Sequence, residues 1–216
     1  MTDLFPDDEP WVEPVTPGAV ILRRFARGCA RELLAGIDAV AARAPFRQMQ
    51  TPGGFTMSVA MTSCGALGWV TDRQGYRYQP RDPQDLQPWP LMPPAFLTLG
   101  QQAAESAGFP GFMPDSCLIN RYLPGARMAL HQDKDERDLR APIVSVSLGL
   151  TARFLFGGLS RRDPVRQIPL EHCDVVVWGG PARLAYHGIM PVRPGEHPLV
   201  GGVRYNLTLR QSGKNE

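Results

Sequence analysis

Apolar and polar positions along this 216-residue chain follow two periods, and each period marks a different element type. Over residues 29–42, Ala30, Leu33, Leu34, Ile37, Val40 and Ala41 recur at the i, i+3, i+4, i+7 spacing of one helix face, and Pro45 stops the run. A second helix is predicted over residues 94–107, where Phe96, Leu99, Ala103 and Ala107 share a face between opening prolines and a closing Gly108 and Pro110. Elsewhere the chain alternates in twos. Phe55, Met57, Val59 and Met61 interleave with Thr56, Ser58, Ala60 and Thr62, which predicts a half-buried strand entered through the turn Pro52-Gly53-Gly54. Residues 118–122 form another strand, stopped by Pro124-Gly125, after which residues 127–133 can return as its hairpin partner. Residues 143–148, 153–156, 174–178 and 204–210 complete the strand set, while residues 1–17, with five acids and four prolines, read as an irregular leader. Many short strands with two helices predict a β-sandwich or jelly roll with helical buttresses, in a single domain without internal repeats.

Charge adds little to this picture. Lys plus Arg total 23 against 21 Asp plus Glu, a net +2 that excludes a histone-like polycation and an acidic tail. The stretch 48–71 carries no charge, but Pro52, its glycines and its many Ser and Thr make it too polar for a membrane span. The acidic, proline-broken N-terminus lacks the pattern of a signal peptide. Cys29, Cys64, Cys117 and Cys173 are widely spaced without a CxxC pair, which suits a reducing compartment and a cytoplasmic protein.

Candidate chemistry begins at His131-Gln132-Asp133, because an imidazole and a carboxylate two residues apart on a strand point to one face. A third ligand has to come from His172, His187 or His197. His187 is favoured because Leu184-Ala185-Tyr186-His187-Gly188 follows a strand, whereas the other two sit among charges and prolines. Two histidines and one carboxylate leave open positions on a metal and suit non-haem Fe(II). The last strand, residues 204–210, adds a polar face of Arg204, Asn206, Thr208 and Arg210 opposite Tyr205, Leu207 and Leu209. Its two arginines, about 20 Å apart along the strand, could lean inward on a short dicarboxylate, each offering a bidentate fork. Asn120 and Tyr122, two apart, could add neutral hydrogen bonds to the same acid.

Five segments in order, Asn120-Arg121-Tyr122, His131-Gln132-Asp133-Lys134-Asp135, residues 175–180, Tyr186-His187-Gly188 and residues 204–210, resemble the AlkB-type Fe(II)- and 2-oxoglutarate-dependent dioxygenases, and the resemblance runs end to end. It implies a double-stranded β-helix, with a nucleotide-recognition lid at about 45–90 and a jelly-roll core at about 114–213. It also implies Fe(II) on His131, Asp133 and His187, 2-oxoglutarate on Asn120, Tyr122, Arg204, Asn206 and Arg210, and O2 as the second cosubstrate. The implied reaction is oxidative demethylation of 1-methyladenine and 3-methylcytosine in single-stranded or duplex DNA, and conceivably RNA, releasing formaldehyde, succinate and CO2. Trp69 and Tyr76 bracket a loop of the implied lid, and by the family pattern an aromatic there stacks on the damaged base opposite His131. Arg77, Tyr78, Met61 and Asp135 join the implied substrate contacts, and Thr51, Arg73, Arg127, Lys134 and Arg161 are candidates for phosphate contacts.

Substrate chemistry agrees with Trp69 and Asp135. Methylation at the Watson–Crick edge leaves a flat cation, which is drawn to an aromatic face and a carboxylate. Such a base also pairs poorly, so extruding it costs less. Phe55 stands where the family pattern has Tyr, Asp72 where it has His, and Cys173 where it has Gly. The rival readings are an Fe(II)/2-oxoglutarate hydroxylase or demethylase of a protein or small molecule, and a metal-binding jelly roll that binds nucleic acid without turnover. Nothing in the sequence calls for more than a monomer or for a membrane.

Overall fold

Strands buried on both faces have to lie between two layers, and the longest uninterrupted buried run of this chain is 142–150. In the computed structural model, which describes residues 9–213, all seven residues of β9 (Ile143–Gly149) are buried. It is central in an eight-stranded antiparallel sheet that also holds β1 (Trp11–Thr16), β2 (Ala19–Arg23), β3 (Arg47–Gln50), β4 (Thr56–Gly65), β7 (Ser116–Tyr122), β12 (Val175–Trp178) and β14 (Arg204–Arg210). The order across this sheet is β1-β2-β12-β9-β14-β7-β4-β3. A four-stranded sheet, β11-β10-β13-β8, is made of β8 (Met128–His131), β10 (Ala152–Phe156), β11 (Arg166–Leu170) and β13 (His187–Ile189). Two facing antiparallel sheets of this kind are the jelly roll expected from the alternating pattern.

The helices α1 (Ala30–Arg43) and α2 (Pro94–Ser106) cover the outer face of the large sheet. Leu33, Ile37 and Val40 of α1 and Phe96, Leu99 and Ala103 of α2 pack with Val144, Val146, Leu148, Ile119, Leu207 and Leu209. Between the sheets lies a second core containing Phe154, Phe156, Trp178, Ile189, Met61 and Leu118. Buried residues along the middle strands of the large sheet therefore face one of two cores according to their parity, as Ile119 and Leu118 do. Burying an aliphatic side chain in either is worth about 1.5–3 kcal/mol.

Three expectations change. The leader is not irregular throughout: Trp11–Thr16 pairs with β2 as the edge strand β1, and the first eight residues lie outside those described. Phe55 is not on the buried face of β4, because the strand begins at Thr56 and Phe55, at the hairpin tip, is 76% exposed. Residues 127–133 are not the hairpin partner of β7. After the turn at Gly125, whose φ of 88° suits glycine, the chain crosses to the small sheet, and β8 pairs with β13 instead. Both helices and the strands at 118–122, 143–148, 153–156, 174–178 and 204–210 lie where the periodicity puts them, within a residue or two.

Candidate active site

Pairing of β7 with β14 puts Asn206 opposite Asn120 and Arg204 opposite Tyr122. The two-residue period then sends Asn120, Tyr122, Arg204, Asn206, Thr208 and Arg210 to the inner face, where they line a cavity of about 50 Å3 between the sheets. From the small sheet, β13 and β8 set His187 directly opposite His131. Gly188 permits this close pairing, since a Cβ there would lie 2.7 Å from the Met128 carbonyl oxygen.

Asp133 stands two residues beyond the end of β8, with its carboxylate between the two rings. His131 Nε2 is 3.6 Å from Asp133 Oδ1, and His187 Nε2 is 3.7 Å from Asp133 Oδ2. One ligand atom from each of the three lies within 4.8 Å of the others. Each Nδ1 lies near a backbone carbonyl, 2.8 Å from Ala129 O and 3.0 Å from Ala185 O. A carbonyl only accepts, so Nδ1 carries the hydrogen and each Nε2 lone pair faces Asp133. Burial above all, with His131 close by, lowers the His187 pKa to about 4 against the opposing pull of Asp133. Burial raises the Asp133 carboxyl, but Arg210, His187 and His131 together hold it well below the usual range. A neutral His187 imidazole and an ionised Asp133 carboxylate, with His131 Nε2 turned to the same carboxylate, are a donor set that suits a divalent iron. His131 keeps 39% of its side chain exposed, which makes it the open side of the triad.

The two arginines play unequal parts. Arg210 gives Nε and Nη2 to Asp133 Oδ2, at 2.9 and 2.6 Å. Arg204 donates to Ser147 Oγ at 3.1 Å, is also hydrogen-bonded to Tyr122, and lies 5.0 Å over the Tyr122 ring. Its Nε and Nη1, together with Nη1 of Arg210, are buried without a protein partner. Unmet guanidinium donors in a dry cavity are costly, and a carboxylate satisfies them. The cavity therefore suits a small acid such as 2-oxoglutarate, toward which Arg204 keeps two unpartnered nitrogens and Arg210 one. Asn120 and Asn206 are tied to each other, at 3.2 Å, and Asn206 also donates to Ser145 Oγ at 2.8 Å.

A hairpin of β5 (Gly68–Asp72) and β6 (Gly75–Gln79) is tied to the segment just after Asp133. Trp69 and Tyr76 stack with centroids 5.6 Å apart, and the Trp69 indole N–H donates to Asp135 Oδ2 at 3.1 Å. Tyr78 donates to Glu136 Oε1 at 2.6 Å. Arg77, expected among the substrate contacts, forks onto Asp72 at 2.7 and 2.9 Å, so Asp72 has a structural task in the hairpin turn. Met61 is fully buried in the inter-sheet core. Arg73, Arg127, Lys134 and Arg161 are exposed. Arg161 donates to the Leu130 carbonyl at 2.9 Å and so sits at the triad's edge, while Thr51 caps its hairpin by accepting the Phe55 N–H at 3.2 Å. Cys173, in place of glycine, has a φ of 73°, in the left-handed region glycine fills at least cost.

Sequence reasoning missed Glu136, Arg183, Ser145 and Ser147. Glu136 is one acid in a charged run and Arg183 one arginine of 21, so neither stands out. Ser145 and Ser147 did carry a signal, as polar residues spaced by two inside an apolar strand.

Comparison with known proteins agrees with this geometry. Residues 18–210 match the model of the 2OG-Fe(II) oxygenase superfamily. The alpha-ketoglutarate-dependent dioxygenase AlkB of Escherichia coli (strain K12) is 65% identical over 216 residues, covering 100% of both chains. A homologue from Caulobacter vibrioides is 51% identical over 84% of this chain and 81% of its own. Among solved structures, OsALKBH1 superposes with a TM-score of 0.82 at 27% identity, over 93% of this chain and 100% of that one. A fold, a donor set and a full-length likeness thus converge, and the chain belongs to the AlkB family of the 2OG-Fe(II) oxygenase superfamily, enzymes that use Fe(II), 2-oxoglutarate and O2.

Proposed function

We propose that this enzyme removes alkyl groups oxidatively from nucleobases such as 1-methyladenine and 3-methylcytosine in DNA, with RNA as a further substrate. The observation that carries the reading is the pairing of a His131–Asp133–His187 triad with buried, unpaired guanidinium donors in one cavity. In this reading His131, Asp133 and His187 hold Fe(II). Arg204 forks one carboxylate of 2-oxoglutarate, and Asn120, Tyr122, Asn206 and Arg210 complete its surroundings. When bound, iron and 2-oxoglutarate supply O2-driven hydroxylation of the N-methyl carbon, with succinate, CO2 and then formaldehyde as products.

The protein's own work is orientation and exclusion of water. Arg210 fixes the Asp133 carboxylate through Oδ2, and the two backbone carbonyls fix the imidazole tautomers. Trp69 offers a stacking face beside the open side of the triad, and Asp135 places a negative charge at the indole N–H end of that face. A cationic methylated base gains from both, whereas a normal base lacks the charge. In this reading Tyr76, Tyr78, Thr51, Arg73, Arg127, Lys134 and Arg161 supply further contacts with base and backbone.

We also read the chain as one catalytic domain over 1–216, monomeric and cytoplasmic, with the lid at about 45–90. Among the described residues no helix is long and apolar enough to cross a membrane. The test is anaerobic reconstitution with Fe(II), then turnover of an oligonucleotide carrying 3-methylcytosine with and without 2-oxoglutarate. Formaldehyde released only with both is expected. Succinate without formaldehyde from any methylated oligonucleotide would instead favour a protein or small-molecule substrate.

A further inference from the structure

His187 and Asp133 are held in different ways. His187 opens β13, where ladder pairing with β8 and β10 fixes its backbone. Asp133 lies past the end of β8, and the chain meets no further strand until Ile143. Something other than a sheet ladder has to hold the segment that carries the carboxylate.

Arg183 meets that need. It is 3% exposed and stands four residues before His187, just after the 3-10 turn Gly180–Ala182. Its guanidinium spends all three nitrogens on the one segment. Nη1 donates to the Asp133 carbonyl at 2.6 Å, Nη2 to Glu136 Oε2 at 3.0 Å, and Nε to the Ala141 carbonyl at 2.9 Å. Beside it, Gln132 Nε2 donates to the Leu184 carbonyl at 2.6 Å. Four hydrogen bonds therefore stitch the segment bearing Asp133 to the segment leading into His187. Glu136, held by Arg183, in turn accepts the Tyr78 hydroxyl from the lid hairpin.

We infer that Arg183 is a positioning residue for the metal centre, fastening Asp133 in the geometry that His187 and His131 require. The inference rests on the reading of His131, Asp133 and His187 as the ligand set. A planar fork is needed because the three acceptors diverge, and an ammonium at the end of a lysine stem cannot reach all of them at once. Groups that orient a ligand from behind typically contribute 10–100-fold to metal affinity.

The experiment titrates the protein with Mn(II) alone, followed by electron paramagnetic resonance of the free ion, in wild type, Arg183→Lys, Arg183→Ala and His187→Ala. Wild type is expected to bind and His187→Ala to lose binding; a wild type that binds no Mn(II) would overturn the ligand-set reading itself. Arg183→Lys and Arg183→Ala, folded by circular dichroism, should bind about 10–100-fold more weakly. Millimolar guanidinium ion, far below denaturing levels, should restore Arg183→Ala and leave His187→Ala unchanged. Wild-type affinity in folded Arg183→Lys would overturn the inference. So would two Arg183 variants that both fail to fold, since Arg183 would then serve folding rather than the metal.

Discussion

The molecule contains two pairs of close histidines that look alike by distance and differ in everything that matters to a metal. His131 and His187 have ring centroids 4.4 Å apart and tilted by 52°; His172 and His197 are 4.2 Å apart and tilted by 40°. In the first pair backbone carbonyls take the Nδ1 hydrogens and leave both Nε2 lone pairs facing a carboxylate. In the second pair the backbone donates instead, Gly149 N–H to His172 Nδ1 at 3.0 Å and Leu199 N–H to His197 Nδ1 at 3.3 Å. Neutral rings bound that way carry hydrogen on Nε2 and offer no lone pair. The nearby carboxylate, Asp174, is spent on Arg23 at 2.6 Å and on the backbone N–H groups of Arg24 and Glu171. Proximity of imidazoles therefore does not make a site. The backbone group that claims Nδ1 and a carboxylate left with ligating oxygens do.

The largest effect that tests this contrast is the exchange of one pair for the other. His187→Ala, Asp133→Ala and His131→Ala should each reduce formaldehyde release below detection, whereas His172→Ala should retain most of the wild-type rate. Activity surviving in His187→Ala and lost in His172→Ala would reverse the assignment.

Next in size is the separation of the metal from the acid within the first pair's cavity. Arg204→Ala should weaken 2-oxoglutarate binding by about 2–3 kcal/mol, the scale of a lost buried charge-assisted hydrogen bond, while leaving Mn(II) affinity within a factor of two or so. Arg210→Ala should damage both, because Arg210 grips Asp133. Exposed Arg193 provides the control, and Arg193→Ala should change neither. Titration of each variant with 2-oxoglutarate, followed by intrinsic tryptophan fluorescence, reads the first quantity.

A smaller effect concerns the open side of the first pair. Asp135→Asn should lower kcat/KM for 3-methylcytosine or 1-methyladenine more than for the neutral 3-methylthymine or 1-methylguanine in the same oligonucleotide. A cation–carboxylate contact at a partly exposed site is worth about 1 kcal/mol, or some fivefold in the ratio. Trp69→Ala should reduce all of them together. A ratio unmoved by Asp135→Asn would leave Asp135 as a solvated acid bonded to the indole.

The smallest effect belongs to the second pair and appears as a pH dependence of stability. Burial, with His197 and Arg27 adding to it and Asp174 opposing, holds the His172 pKa below its ordinary value. The folded state thus prefers neutral His172. The associated stability is complete above the unfolded-chain pKa, about 6.5, and is lost as pH falls from there through the lower folded value. Urea unfolding at pH 7 and pH 5 should show a smaller acid-side loss in His172→Gln than in wild type. Equal losses would mean that this ring titrates alike in both states.

Cys173 beside that pair shows how a departure from the family pattern is accommodated. Its left-handed φ carries a strain of about 1–2 kcal/mol, while its side chain is buried in the helix-side core. Asp72, another departure, is absorbed more simply, by pairing with Arg77 across the hairpin turn. Nothing in the structure explains why Phe55 replaces tyrosine at the exposed tip.

What the sequence determined by itself is what depends on neighbours a few residues apart. Helix faces at 29–42 and 94–107, the parity of residues 204–210, and the placing of Asn120 with Tyr122 follow from periods of 3.6 and 2, which the backbone imposes wherever it is helical or extended. The five segments in order carried the family and, through it, the expectation of iron on His131, Asp133 and His187. Tertiary structure alone decided what depends on partners far along the chain. It sent β8 to the small sheet, made residues 11–16 an edge strand, sank Met61 into the core and turned Arg77 onto Asp72. It also gave Arg210 to Asp133 and left Arg204 with two buried nitrogens unpartnered. A hydrogen bond between residues 77 apart, such as that from Arg210 to Asp133, or 50 apart, such as that from Arg183, leaves no periodic trace. Such contacts are fixed by sheet pairing and by the cost of leaving a buried charge without a partner.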